Sequence, residues 1–185
     1  MLSVPRRFLV VALFFCFSGL AEVRTLTILH TNDLHARISP LENGNGGFAR
    51  LATVIQRERA GCNDCLVLNA GDLVQGSPVS TIFHGLPVFE IANLLGFDAA
   101  TLGNHEFDYG WPQAQKFLKT SKYPTVTANV ADSKGREFTD KPYVILKVNG
   151  LRVAIIGGMT DTLKSLTTPK LLGDWHTLPV VETVR

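Results

Sequence analysis

Three short segments hold residue types that can bind a cation or move a proton. His30-Thr31-Asn32-Asp33-Leu34-His35 sets Asp33 and His35 two residues apart. Asn69-Ala70-Gly71-Asp72 ends in Asp72, and Gly103-Asn104-His105-Glu106-Phe107-Asp108 supplies Asn104, His105 and Asp108. Carboxylate, imidazole and amide donors without a thiolate suit zinc, manganese or iron, and the residue types do not choose among them. If the segments converge, Asp33 and Asp72 repel each other and are costly to desolvate. A pair of divalent cations removes both difficulties. Gly71 and Gly103 let the backbone turn sharply beside a ligand.

Each segment must be delivered by something regular, and each follows a run that reads as a strand. Thr25 to His30 is rich in β-branched and apolar residues, and Leu66-Val67-Leu68 and Ala99 to Leu102 are short apolar runs of the kind buried on both faces. Between them, Phe48, Leu51, Ala52 and Ile55 fall on one face of a helix ending at Gly61. A second helix is predicted from Pro87, carrying Val88, Ile91, Ala92 and Leu95 and stopping at Gly96. Pro112 opens a third, with Ala114, Phe117 and Leu118. Tyr123 to Ala128 reads as a fourth strand. Tyr143 to Val148 and Leu151 to Ile156 read as a hairpin around Asn149-Gly150, a pair that tolerates the positive φ of a type I′ turn. Phe83, Phe89, Phe97 and Phe107 are read as core, and beyond Gly157 the periodicity fades. The β-α-β-α-β start predicts an α/β fold, a layered sheet with flanking helices and a later β-hairpin. Open sheets of this kind carry their sites at the carboxyl ends of strands, where the three segments lie.

The chain has 185 residues, 45% hydrophobic and 18% charged, enough apolar material for a core. Residues 1–21 read as a signal peptide: Arg6 and Arg7, an apolar run from Phe8, then Gly19-Leu20-Ala21 before the cut. The apolar stretch, about 13 residues, is shorter than the roughly 20 a bilayer span needs. A secreted or periplasmic protein without a stable membrane anchor is therefore expected. Without Arg6 and Arg7, 16 basic residues face 16 acidic ones, and no basic stripe invites a nucleic-acid polymer. Cys62 and Cys65 read as a small local disulfide in an oxidising compartment.

The three segments resemble the D-x-H … G-D … G-N-H-[D/E] signature of the calcineurin-like metallophosphatase superfamily. Leu29 to His35, Asn69 to Asp72 and Leu102 to Asp108 are similar, more narrowly, to its 5′-nucleotidase and 2′,3′-cyclic phosphodiesterase branch, over about Leu26 to Gly158. The resemblance implies that Asp33 and His35 bind one metal, Asp72 bridges two, and Asn104 binds the second. His105 would assist the departing oxygen and Asp108 would orient it. It implies an exported dimetal phosphoesterase that hydrolyses a small-molecule phosphate ester, a nucleotide above all, through a metal-bridging hydroxide. A sulfur-ester hydrolase of the same family and a non-catalytic remnant are the alternatives. The family completes its metal shells with later histidines, whereas after His105 this chain has His176 alone, expected as an exposed loop residue. Residues 22–185 are thus expected to be the N-terminal portion of the catalytic domain, without the domain that recognises the nucleoside. As they stand they would bind metal weakly and turn over little.

Overall fold

The computed structural model describes residues 23–185; the expected signal peptide lies outside the described residues. The first half is a parallel β-α-β core. Strand β1 (Thr27–Thr31) is followed by α1 (Phe48–Ala60), β2 (Cys65–Asn69), the short helices α2 (Pro78–Ile82) and α3 (Leu86–Ala92), and β3 (Ala99–Ala100). The 3₁₀ turn His105–Phe107 and helix α4 (Trp111–Thr120) come next. The second half holds β4 (Val130–Ala131), the hairpin β5 (Tyr143–Val148) and β6 (Leu151–Ile156), α5 (Leu163–Leu166), α6 (Pro169–Leu172), β7 (His176–Thr177) and α7 (Val180–Thr183).

The register of the parallel sheet decides where the chemistry lies. The order is β1-β2-β3; Thr31 pairs with Asn69 and Asn69 with Ala100, so the three strands end side by side. Strands in one sheet run about 4.8 Å apart, so the loops that leave them start as neighbours. Val67 and Leu66 in the middle strand are fully covered, while β1 is an edge whose Ile28 and His30 face outward. Arg59, late in α1, pairs with Asp98 and also donates to the Gly96 carbonyl; Asp98 in turn accepts from the Val67 amide at 2.7 Å. One charged pair thus fixes the end of α1 against β2 and the entrance to β3. Phe89 and Phe117 stack at 4.4 Å between α3 and α4, and Phe97 and Phe107 complete the same core. Cys62 and Cys65 are joined in a disulfide that closes the turn between α1 and β2.

The chain departs from the sequence expectation in four places. The helix expected from Pro87 is present as α3 but ends at Ala92 rather than at Gly96, and a short helix that was not expected, α2, precedes it across Gly85 (φ 77°), where a β-carbon would meet Val74 Cγ1 at 2.6 Å and Phe117 Cζ at 2.8 Å. Phe83, expected in the core, stands 59% exposed at the end of α2, a helix too short to bury a continuous stripe. The expected strand Tyr123–Ala128 contracts to one bridge from Thr125 to Ala100, flanked by Pro124, which has no amide proton to extend the ladder. The aperiodic tail contains α5, α6, β7 and α7, each too short to leave a period. His176 is exposed as expected, but in β7, paired against Ala131. The hairpin has the expected bounds, with Asn149 at φ 42° and Gly150 at φ 81°.

Asp132, just after β4, is a buried carboxylate with a built partner set. It accepts from the Lys134 amide at 3.0 Å, the Arg136 amide at 2.9 Å and Arg136 Nε at 2.6 Å. Burial pushes its pKa up, but these bonds and the Arg136 charge outweigh that and hold it below the usual aspartate value. A depressed carboxylate stabilises the fold above its unfolded pKa of about 3.9 and stops doing so as the pH falls through the folded value. Asp132→Asn is therefore expected to destabilise the chain at pH 7, and the gap to wild type should close below about pH 4. Urea denaturation of both proteins at pH 7 and pH 3 checks this.

Candidate metal centre

The loop leaving β1 runs along the loop leaving β2, and the backbone stitches the two together. Asp33 N donates to the Gly71 carbonyl at 3.2 Å, His35 N to the Asp72 carbonyl at 3.0 Å and Ala36 N to the Leu73 carbonyl at 2.7 Å. Asn69, buried at the end of β2, adds a side-chain brace: its amide donates to Thr31 Oγ1 at 3.0 Å and its oxygen accepts from Gly71 N at 3.0 Å. The loop leaving β3 joins through Asp72, whose Oδ1 accepts from the His105 amide at 3.0 Å. All three sequence segments therefore meet at one place.

Following this path puts four non-glycine residues in the left-handed region: Asp33 (φ 53°), His35 (46°), Ala36 (51°) and Asp72 (56°). Such conformations are disfavoured by about 1–2 kcal/mol per L-residue, less for aspartate, and persist here because the stitched backbone holds them. Glycine is required where the loops touch. A β-carbon on Gly71 would lie 2.2 Å from Gly103 N, and one on Gly103 would lie 2.1 Å from Asp72 Oδ1.

His35, Asp72 and His105 each offer a ligand atom within 4.8 Å of the others. The His35 and His105 rings meet edge to face at 4.9 Å, and Asp33 Oδ1 lies 3.7 Å from His35 Nε2. His35 Nδ1 is buried without a protein hydrogen-bond partner, as expected of a donor shaped for something other than protein. The donors are oxygen and imidazole nitrogen, so a borderline or hard divalent cation fits the residues present. Asn104 stands at the head of the 3₁₀ turn beside this group, and its side-chain amide takes no hydrogen bond among the described residues.

The electrostatics separate two sets of groups. Asn32 donates to the Asp33 carboxylate. That bond outweighs partial burial and, with Asp72, His35 and His105, holds Asp33 below the usual aspartate range. On the other side His105 Nδ1 meets Asp108 Oδ2 at 2.7 Å. Burial disfavours the charged imidazole, but the bond to Asp108 and the charges of Asp108, Asp72 and Glu106 outweigh it, so the His105 pKa lies above the ordinary value. The pair spans one turn, residues i and i+3. A histidine oriented and charged in this way can hold a proton for a departing oxygen.

The motif reading gave Glu106 no role, yet the structure buries it fully behind Asp72 and Gly103. Burial and then the Asp72 charge push its carboxyl upward, and three backbone donors pull it partly back. The [D/E] position of the signature marks Glu106 without saying what it does; the 3₁₀ turn, which sends neighbouring side chains in different directions, turns it away from His105 and into the protein. Asp33 also lines a cleft of about 370 Å³ with Leu34, Arg37, Phe48 and Leu51, beside the metal group. A larger cavity of about 610 Å³ lies elsewhere, around Tyr123, Thr125 and Lys141.

Comparison with known proteins gives the same picture. A family model described as calcineurin-like phosphoesterase matches residues 26–179. A snake venom 5′-nucleotidase from Gloydius brevicauda is 38% identical over 90% of this chain and 31% of its own length. A solved 5′-nucleotidase precursor from Thermus thermophilus superposes with a TM-score of 0.76 at 34% identity, over 86% of this chain and 33% of that one. The sulfate thiohydrolase SoxB of Thermus thermophilus has a TM-score of 0.76 at 16% identity, over 88% of this chain and 41% of that one, a likeness of fold. The chain spans about a third of the length of the curated relatives it matches.

Proposed function

The chain belongs to the calcineurin-like phosphoesterase family, and on that premise we propose that it is the metal-bearing part of an exported phosphoesterase of the 5′-nucleotidase type. Its substrate is a small phosphate ester, a nucleoside monophosphate first among them. The observation that carries the reading is the convergence of His35, Asp72 and His105 within 4.8 Å, beside Asp33 and backed by the His105–Asp108 pair. The 5′-nucleotidase relatives support the choice of ester. A sulfur-ester substrate has only fold likeness behind it.

Asp33 and His35 would hold one divalent cation, Asp72 would be shared, and Asn104 would serve a second. Cations so placed supply water acidified toward neutral pKa and positive charge against the phosphoryl oxygens. The protein's own part is different. The stitched loops hold the donors at fixed spacing, and Asp108 fixes the His105 ring through Nδ1, leaving Nε2 for the substrate. His105 then passes its proton to the ester oxygen as the bond to phosphorus breaks.

Calorimetric titration of the chain with Mn²⁺, followed by phosphate release from adenosine 5′-monophosphate, tests this. Saturable Mn²⁺ binding and slow turnover that EDTA abolishes are expected. Failure to bind Mn²⁺, or hydrolysis indifferent to EDTA, would sink the reading.

A further inference from the structure

Glu106 sits where the loops leaving β2 and β3 come closest. It is 1% exposed and makes no ion pair with a lysine or arginine among the described residues. Its carboxylate takes three backbone amides instead. Oε1 accepts from Leu73 N at 2.9 Å, and Oε2 accepts from Asp72 N at 3.0 Å and Gly103 N at 2.6 Å. Two of these amides belong to the β2 loop and the third to the β3 loop. The acceptor-only oxygens of an ionised carboxylate match three converging donors, which a neutral amide side chain cannot do. Without Glu106 the three N–H groups would be left unsatisfied where little water reaches. The 3₁₀ turn makes the arrangement possible: His105 faces the metal group while Glu106, next in sequence, reaches back beneath it.

We propose that Glu106 is a positioning residue, a carboxylate staple that locks the Asp72 and Gly103–Asn104 backbones in the register a divalent cation requires. It touches neither substrate nor cation; it acts through the residues on either side of the join. The inference rests on the metallophosphoesterase reading and adds a residue to which that reading gives no part.

Glu106→Gln keeps the shape but turns one acceptor into a donor facing an N–H. Asn93→Ala is the control: it removes bonds to the Thr120 carbonyl and Lys122 amide at the far end of α3, away from the metal group. Three readouts apply to each protein: stability in urea, Co²⁺ affinity and visible spectrum, and amide hydrogen exchange at Asp72, Leu73 and Gly103. Glu106→Gln is expected to bind Co²⁺ about 10- to 100-fold more weakly, with an altered spectrum and faster exchange at those amides. Asn93→Ala should lose stability yet keep wild-type Co²⁺ affinity and spectrum. Equal Co²⁺ affinity and spectrum in Glu106→Gln and wild type would overturn the proposal, as would equal weakening in both variants. Should Glu106→Gln not fold, Glu106→Asp, which keeps the charge on a shorter arm, replaces it. Intermediate Co²⁺ affinity then supports the staple, and wild-type affinity refutes it. Absence of Co²⁺ binding by wild type would count against the enzymatic reading instead. In that event unprotected amides at Asp72, Leu73 and Gly103 would still refute the staple, and protected ones that Glu106→Gln exposes would support it.

Discussion

Gly103→Ala is expected to cost the chain its metal site while leaving most of the fold in place. The new methyl carbon would stand 2.1 Å from Asp72 Oδ1, 2.5 Å from Asp72 N and 2.6 Å from its Cγ. None of these atoms can yield cheaply. Asp72 N is held by Glu106, and Asp72 Oδ1 by the His105 amide. Relief must come by driving the β2 and β3 loops apart. Overpacking of this kind destabilises by about 1–3 kcal/mol. Displacing the supports of a metal ligand costs about 10- to 100-fold in affinity, and displacing the ligand itself should reach the upper end of that range. Calorimetry with Mn²⁺ and thermal denaturation on the same sample measure both effects. Wild-type affinity in Gly103→Ala would mean that the two loops do not depend on their close approach.

The second large effect is expected at His105, and its character differs. His105→Ala should lower phosphate release by about 10²–10⁴-fold, the usual cost of removing a general acid, while Mn²⁺ affinity stays near wild type. The ring nitrogen of His105 lies close enough to His35 and Asp72 to serve as a ligand, so the two roles make opposite predictions for metal binding. The bond to Asp108 and the charges of Asp108, Asp72 and Glu106, which raise the His105 pKa, favour the acid role, since a protonated ring has no lone pair to offer a cation. An activated aryl phosphate keeps slow turnover measurable. If metal is lost with the ring, His105 is a ligand and another donor must protonate the leaving group.

Much of this was legible in the residues themselves, for reasons that can be named. Helix α1 and strand β2 show in the apolar residues they bury, β1 shows by its apolar and β-branched composition although it is an exposed edge, and Asn149-Gly150 marks the hairpin through its backbone preference alone. The match of residues 26–179 to the calcineurin-like phosphoesterase family agrees with the resemblance drawn from the motifs. The metal-ligating types stood out because Asp, His and Asn directly after apolar runs are unusual. What escaped was set by distance in the chain. Glu106 binds an amide 33 residues away; the acidic position that closes the G-N-H-[D/E] signature marks it, but the residue types alone give it no role. The turn at Gly85 that sets α2 apart from α3 is shaped by Val74 and Phe117, which lie outside both helices. Phe83 looked like core because hydrophobicity was the only guide, and the shortness of α2 overruled it.

The left-handed residues at positions 33, 35, 36 and 72 have a bearing on how this protein could be bred for heat tolerance. Each is a place where glycine would sit more easily, so a screen for thermal survival alone would be drawn to all four. Three of those exchanges would discard a side chain assigned here to chemistry, and hardiness and turnover would part company within one library. Ala36 alone could be surrendered without disarming the enzyme.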